Sequence, residues 1–132
     1  MGTDVTDLRG TTTLVGLLGD PVAGSLSPRM QNAAFAAAGL DWAYVPLPVA
    51  AERLGEAVRG LFALGFAGAN VTIPHKRAVI ELCDELDDVA ERARSVNTLV
   101  VRNGRVLGSS TDGAAVAGAI EGAGARCLIL GA

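Results

Sequence analysis

Asn70-Val71-Thr72-Ile73-Pro74-His75-Lys76 closes an apolar run, Phe66 to Val71, and places an amide, a hydroxyl and an amine at its end. The run reads as a short buried strand, and Pro74, which has no backbone N–H, forbids its continuation. Asn70 and Thr72 are two residues apart, so they share a face while the chain stays extended. Lys76 follows where the chain turns into its next helix. In open α/β sheets ligands sit outside the carboxyl ends of strands, and these side chains suit a small polyhydroxylated substrate. The same residues would also serve a strand-to-helix turn whose polar groups only satisfy the backbone.

Outward from this stretch, strands and helices alternate. Thr13 to Leu18 reads as a buried strand closed by Gly19-Asp20-Pro21. Ser27 suits an N-cap and Pro28 the first position of a helix running to about Ala38, with Gly39 ending it. Trp42 to Leu47 is a second strand, and Pro46 and Pro48 suggest an edge position. Ala51 to Leu64 is helical, with Leu54, Val58, Leu61 and Phe62 on one stripe and Gly65 as the stop. A helical region from Lys76 to about Arg94 follows, broken in two around Asp84, Glu85, Asp87 and Asp88. Val96–Val101 and Arg105–Gly108 flank Asn103-Gly104, a two-residue hairpin signal. Asp112 opens an Ala/Gly-rich helix to about Gly122. Residues 13–108 therefore read as one α/β unit.

Arg126 to Leu130 is a further apolar strand running into Gly131-Ala132, which is how a dinucleotide-binding βαβ unit begins. Gly122-Ala123-Gly124-Ala125 precedes a strand instead of following one, and reads as a helix-ending loop.

Composition narrows the function classes. Half of the 132 residues are hydrophobic and 19% are charged, the balance of a globular chain with a real core. A net charge of −3, scarce aromatics and no Lys/Arg run argue against a nucleic-acid partner. No apolar segment approaches the ~20 residues of a membrane helix, and Asp4 and Asp7 argue against a signal peptide. Cys83 and Cys127 have no metal-type spacing and read as reduced, buried thiols of a cytoplasmic protein. His75 is the only histidine, so no multi-His metal site is expected.

Three further clusters carry chemistry. Ser25-Leu26-Ser27-Pro28 sets hydroxyls at a helix N-terminus, where unsatisfied N–H donors favour a carboxylate or phosphate; simple capping by Ser27 is the plainer alternative. Ser95-Val96-Asn97-Thr98 puts an amide at a strand start, where it needs either a structural hydrogen bond or a ligand. Ser110-Thr111-Asp112-Gly113 puts a carboxylate at a helix start, as a cap or as a partner for Lys76. A Lys–carboxylate pair in a cleft can orient a substrate hydroxyl and move its proton as hydride leaves the same carbon.

In this order, G-D-P-V-A-G-S-L-S-P (19–28), N-V-T-I-P-H-K (70–76), S-V-N-T-L (95–99) and S-T-D-G (110–113) resemble the shikimate dehydrogenase family. L-I-L-G-A (128–132) is similar to the start of that family's NADP-binding loop. The resemblance implies a three-layer α/β substrate domain with a mostly parallel sheet, followed by the first strand of a Rossmann-type domain. It divides the chain into a frayed start (1–12), a substrate-binding domain (13–109), a connecting helix (110–125) and the opening of a truncated NADP-binding domain (126–132).

The implied activity is reversible, NADP-dependent reduction of 3-dehydroshikimate to shikimate, toward chorismate and the aromatic amino acids. Ser25 and Ser27 would hold the substrate carboxylate. Asn70, Thr72, Asn97 and Asp112 would bind ring substituents, and Lys76 would exchange the proton, oriented with Asp112. Asp88, Gly131 and Ala132 would lie toward the cofactor. No metal is implied, and a homodimer is left open for a full-length protein. Gly24, Gln31-Asn32, Arg94-Ser95 and Ser110 depart from the usual pattern and leave room for quinate or an amino-substituted analogue. The chain reads as a fragment, inactive alone; a stand-alone, non-catalytic module binding shikimate- or quinate-like acids is the alternative.

Overall fold

The computed structural model describes residues 8–121, so the expected strand at 126–130, Cys127, Gly131 and Ala132 lie outside the described residues. Strand β1 (Thr13–Gly19) leads to helix α1 (Ser27–Ala37), strand β2 (Trp42–Pro48) and helix α2 (Leu54–Ala63), the last entered through a 3₁₀ turn at Ala51–Arg53. Strand β3 (Gly68–Val71) follows, then a 3₁₀ turn at Ala78–Leu82, strand β4 (Glu85–Leu86) and helix α3 (Asp88–Ala93). The hairpin β5 (Thr98–Arg102) and β6 (Arg105–Ser109) precedes helix α4 (Asp112–Ile120).

Both long helices stop as their glycines direct. At the end of α1, Gly39 (φ 66°) and Leu40 return their N–H groups to Ala36 and Phe35. At the end of α2, Gly65 (φ 72°) and Phe66 return theirs to Phe62 and Leu61. This is the Schellman geometry, which needs a left-handed residue and so favours glycine. Asn103 and Gly104 also have positive φ and close the two-residue hairpin, with Arg102 opposite Arg105.

The sheet order is β2-β1-β3-β5-β6-β4. β1 is parallel to both β2 and β3, and β4 is parallel to β6, while β5 runs antiparallel between β3 and β6. β2 is an edge strand, as its prolines suggest. Successive residues of β1 point to opposite faces. Leu18 joins Leu54, Val58, Leu61, Val71, Val79, Val96 and Leu99 in the larger core under α2 and α3. Leu17 joins Val22 and Tyr44, with Phe35 of α1 packed against them on the other side. Helices thus cover both faces of a mostly parallel sheet.

Several expectations are corrected. The region Lys76–Arg94 holds a 3₁₀ turn, a two-residue strand and a short helix rather than two helices. Asp84 accepts from the Val106 N–H at 2.7 Å, and the Asp84 N–H donates to the Val106 carbonyl, so this acidic stretch pairs with β6 instead of coiling. Of the expected frayed start, residues 1–7 lie outside the described residues, while the Thr11 and Thr12 hydroxyls donate to Asp41 at 2.8 and 2.6 Å. Ser27 is the first residue of α1 and not its cap; the N-cap position is Leu26, which makes no side-chain cap bond, and Ser25 Oγ accepts the Ser27 N–H at 3.2 Å. Cys83 is half-buried rather than buried, and the third strand begins at Gly68, not Phe66.

Candidate active site

The topology brings the carboxyl ends of β1, β3 and β6 to one edge of the sheet. Because β5 is antiparallel to its neighbours, its first residues arrive at that same edge. Thr72 and Lys76 follow β3, Asp112 follows β6, and Asn97 precedes β5. Three segments far apart in sequence therefore meet there.

Lys76 Nζ donates to Asp112 Oδ2 at 2.6 Å. Neither side chain is sequestered, at 31% and 49% exposed, so the pair is open to a ligand. The hydrogen bond from Lys76, supported by one from Asn97, holds the Asp112 carboxyl below its ordinary range against the opposing effect of burial. Asn97 Nδ2 donates to Asp112 Oδ1 at 3.0 Å and to Thr111 Oγ1 at 2.8 Å. Its Oδ1 accepts from Thr98 Oγ1 at 2.9 Å and from the Thr111 N–H at 3.2 Å. An amide has two donors and two lone pairs, so Asn97 is fully used within the protein. It reaches a ligand only by exchanging one of these bonds.

Asn70 is tied into the same group. Its Nδ2 donates to the Asn97 carbonyl at 3.2 Å and to Thr98 Oγ1 at 3.1 Å. Its Oδ1 accepts from the Tyr44 hydroxyl at 2.9 Å. Thr72 donates its N–H to the Leu18 carbonyl, and its methyl fills the space that a side chain on Gly19 would take. His75 is buried, 1% exposed, and its Nε2–H donates to the Val49 carbonyl at 2.6 Å. The carbonyl can only accept, which sets the tautomer and ties the segment after β2 to the one bearing Lys76.

Ser25 and Ser27 stand where β1 passes into α1, so the structure keeps the expected hydroxyls at a helix start. The connection from α1 to the Lys76 group runs through Asn32, whose side chain holds both backbone groups of Tyr44. A crevice of about 370 Å³ lies between α1 and the sheet, lined in part by Gln31, Phe35, Tyr44, Asn70 and Thr98. Lys76 and Asp112 do not line it. Asp88 is exposed at the first turn of α3, while Asp87 makes the cap bond to the Ala90 N–H at 2.7 Å. Ser110 is 5% exposed, and its hydroxyl is the one buried side-chain polar atom without a partner among the described residues.

The sequence gives Tyr44 no role, and it offers Thr98, Thr111 and Asn32 only as neighbours within their motifs. Tyr44 sits in an alternating strand like any core aromatic, and nothing local ties it to Asn70, 26 positions away. Among the described residues no group of three or more His, Cys, Asp and Glu could hold a metal ion, and no helix is long and apolar enough to cross a membrane.

Residues 17–99 match the shikimate dehydrogenase substrate binding domain. The chain belongs to that family. A shikimate dehydrogenase (NADP(+)) from Rubrobacter xylanophilus is 50% identical over 129 residues, which cover 93% of this chain and 45% of the relative. A crystal structure of the Listeria monocytogenes shikimate 5-dehydrogenase, in complex with shikimate and NAD, superposes with TM-score 0.84 at 38% identity. It covers 91% of this chain and 42% of that one. A 5-ketofructose reductase from a Gluconobacter strain is similar at TM-score 0.82 and 30% identity, over 88% of this chain and 42% of the reductase. The chain thus spans less than half the length of these relatives.

Proposed function

We propose that this chain supplies the substrate site of a cytoplasmic, NADP-dependent shikimate dehydrogenase that reversibly reduces 3-dehydroshikimate to shikimate. The observation that carries the reading is the 2.6 Å Lys76–Asp112 contact, assembled at the carboxyl ends of strands and open to a ligand. Ser25 and Ser27, with the donor-rich start of α1, take the substrate carboxylate. Asn70, Thr72, Asn97 and Asp112 take the ring hydroxyls, Asn97 by exchanging one of its internal bonds.

When bound, NADPH supplies the hydride that reduces the ring carbonyl carbon. Lys76 gives its proton to the carbonyl oxygen during reduction and takes it back during oxidation. Asp112 fixes Nζ toward that oxygen. Among the described residues only Asp88 was expected toward the cofactor. A carboxylate suits a ribose hydroxyl or a carboxamide N–H and repels phosphate, so Asp88 fits one end of a dinucleotide and not its pyrophosphate.

The test is calorimetric titration of the chain with shikimate and with quinate, followed in parallel by fluorescence of Trp42, which packs against Phe35 at 5.5 Å beside the crevice. Saturable shikimate binding, weakened by Ser25→Ala and by Lys76→Ala, is expected. A folded chain that binds neither acid would refute the substrate assignment. Tighter binding of quinate would move the assignment to that acid.

A further inference from the structure

The site amides are held in a chain of hydrogen bonds whose direction is set by the backbone. The Asn97 carbonyl can only accept, so the NH₂ of Asn70 must face it. The Thr111 N–H can only donate, so the Oδ1 of Asn97 must face it. With both amides oriented, Thr98 Oγ1 accepts from Asn70 Nδ2 and donates to Asn97 Oδ1. The Tyr44 hydroxyl must then donate to Asn70 Oδ1. At the far end, Asn97 Nδ2 is left facing Asp112, which holds Lys76.

We propose that Tyr44 and Thr98 are positioning residues that hold Asn70, Asn97 and the Lys76–Asp112 pair as one hydrogen-bonded unit. The proposal deepens the shikimate reading of this site and rests on it. Tyr44 is suited to the role because it is itself immobilised. It is 3% exposed, and Asn32 of α1 grips its N–H at 2.8 Å and its carbonyl at 2.9 Å. Burial also keeps its hydroxyl protonated, with the pKa pushed up to about 12, so it remains a donor through the physiological range. The middle of α1 is thereby joined through Asn32 and Tyr44 to the Lys76–Asp112 pair.

The arrangement also determines what Asn70 can recognise. Both of its N–H groups and one Oδ1 lone pair are taken. It presents a ligand with one remaining lone pair. Such a group takes a hydroxyl donor and rejects a carbonyl, which selects a ring hydroxyl at that position over a ketone.

At nearly constant volume, Tyr44→Phe deletes one link and Thr98→Val deletes the two made by its hydroxyl, which Thr98→Ser restores. The readouts are the side-chain NH₂ resonances of Asn97 in the ¹⁵N-labelled chain and the affinity for shikimate. The Asn97 resonances, two links beyond Tyr44's own partner, are expected to shift and broaden in Tyr44→Phe and Thr98→Val and to return in Thr98→Ser. Shikimate affinity should fall about fivefold in Tyr44→Phe, the effect of one lost hydrogen bond, and by at least as much in Thr98→Val, which loses two. Folded Tyr44→Phe and Thr98→Val variants whose Asn97 resonances stay in place would overturn the proposal, even if shikimate still binds. Wild-type chain that binds no shikimate while those resonances move would leave the positioning role intact and remove the substrate assignment. If Tyr44→Phe does not fold, the Thr98→Val and Thr98→Ser pair decides alone.

Discussion

Asn32→Ala tests how the exposed edge of the sheet is protected. In a strand, the N–H and carbonyl of one residue point to the same side, so Asn32 meets the outer side of β2 at Tyr44. Pro46 and Pro48 share that side and have no N–H to offer. The Asn32 side chain thus replaces a neighbouring strand at the one place where the edge could best pair. Removing it deletes two hydrogen bonds around a residue that is 3% exposed. At about 1 kcal/mol of net stability for each bond, the loss should be about 2 kcal/mol, shrinking toward 1 if water enters the gap. Urea unfolding followed by circular dichroism measures it directly, with the slope checked for an unchanged two-state transition. A loss below about 0.5 kcal/mol with an unchanged slope would refute the reasoning, since surface changes fall in that range. Asn32→Asp sharpens the test. The new carboxylate can accept from the Tyr44 N–H but repels its carbonyl, whereas the protonated acid can donate to it. The folded pKa of the new group is then raised, so its stabilisation is present at low pH and lost as pH rises through that folded pKa.

Two other perturbations follow from the packing and the site. Leu99→Ala, at a position 1% exposed in the central strand β5, should lose about 3 kcal/mol of stability in urea, whereas its exposed neighbour Val100→Ala should lose less than about 0.5. Carboxyl ¹³C titration should place Asp112 below the ordinary carboxylate range, and Lys76→Met should move its midpoint upward. Because the folded pKa is depressed, the pair stabilises the fold above the ordinary carboxylate pKa, and this is lost as pH falls through the folded value. Asp112 is half exposed, so the contribution should stay under about 1 kcal/mol, and a midpoint unmoved by Lys76→Met would contradict the contact.

The elements that were legible in the chain are those governed by local physics. Gly39, Gly65 and Asn103-Gly104 punctuate the fold where sequence reading put them, because left-handed backbone is cheap only for glycine and a few others. The Leu54, Val58, Leu61 stripe marked the buried face of α2 for the same kind of reason. The acidic stretch at 84–88 misled, since its partner is the backbone of β6, about twenty residues away, and no local rule reports that pairing. Ser27 has the residue type of a cap, yet the helix begins one residue earlier than that role needs and leaves the N-cap position to Leu26, a shift that residue type alone does not report.

By itself, the sequence determined the alternation of elements, the apolar faces and the four polar clusters, along with the family that they resemble. All of these are readable within a few residues, through propensity, period and turn chemistry. Only the tertiary structure decided that three of the four clusters, those bearing Lys76, Asn97 and Asp112, meet at one edge of the sheet. That depends on β5 entering the sheet antiparallel between β3 and β6, which reverses its direction and delivers Asn97 to the edge where Lys76 and Asp112 already stand. It also decided that Tyr44, an ordinary core aromatic in the chain, spends its hydroxyl on Asn70. Strand order and cross-sheet contacts are set by which apolar faces can be buried together, a property of the whole chain that no single stretch records.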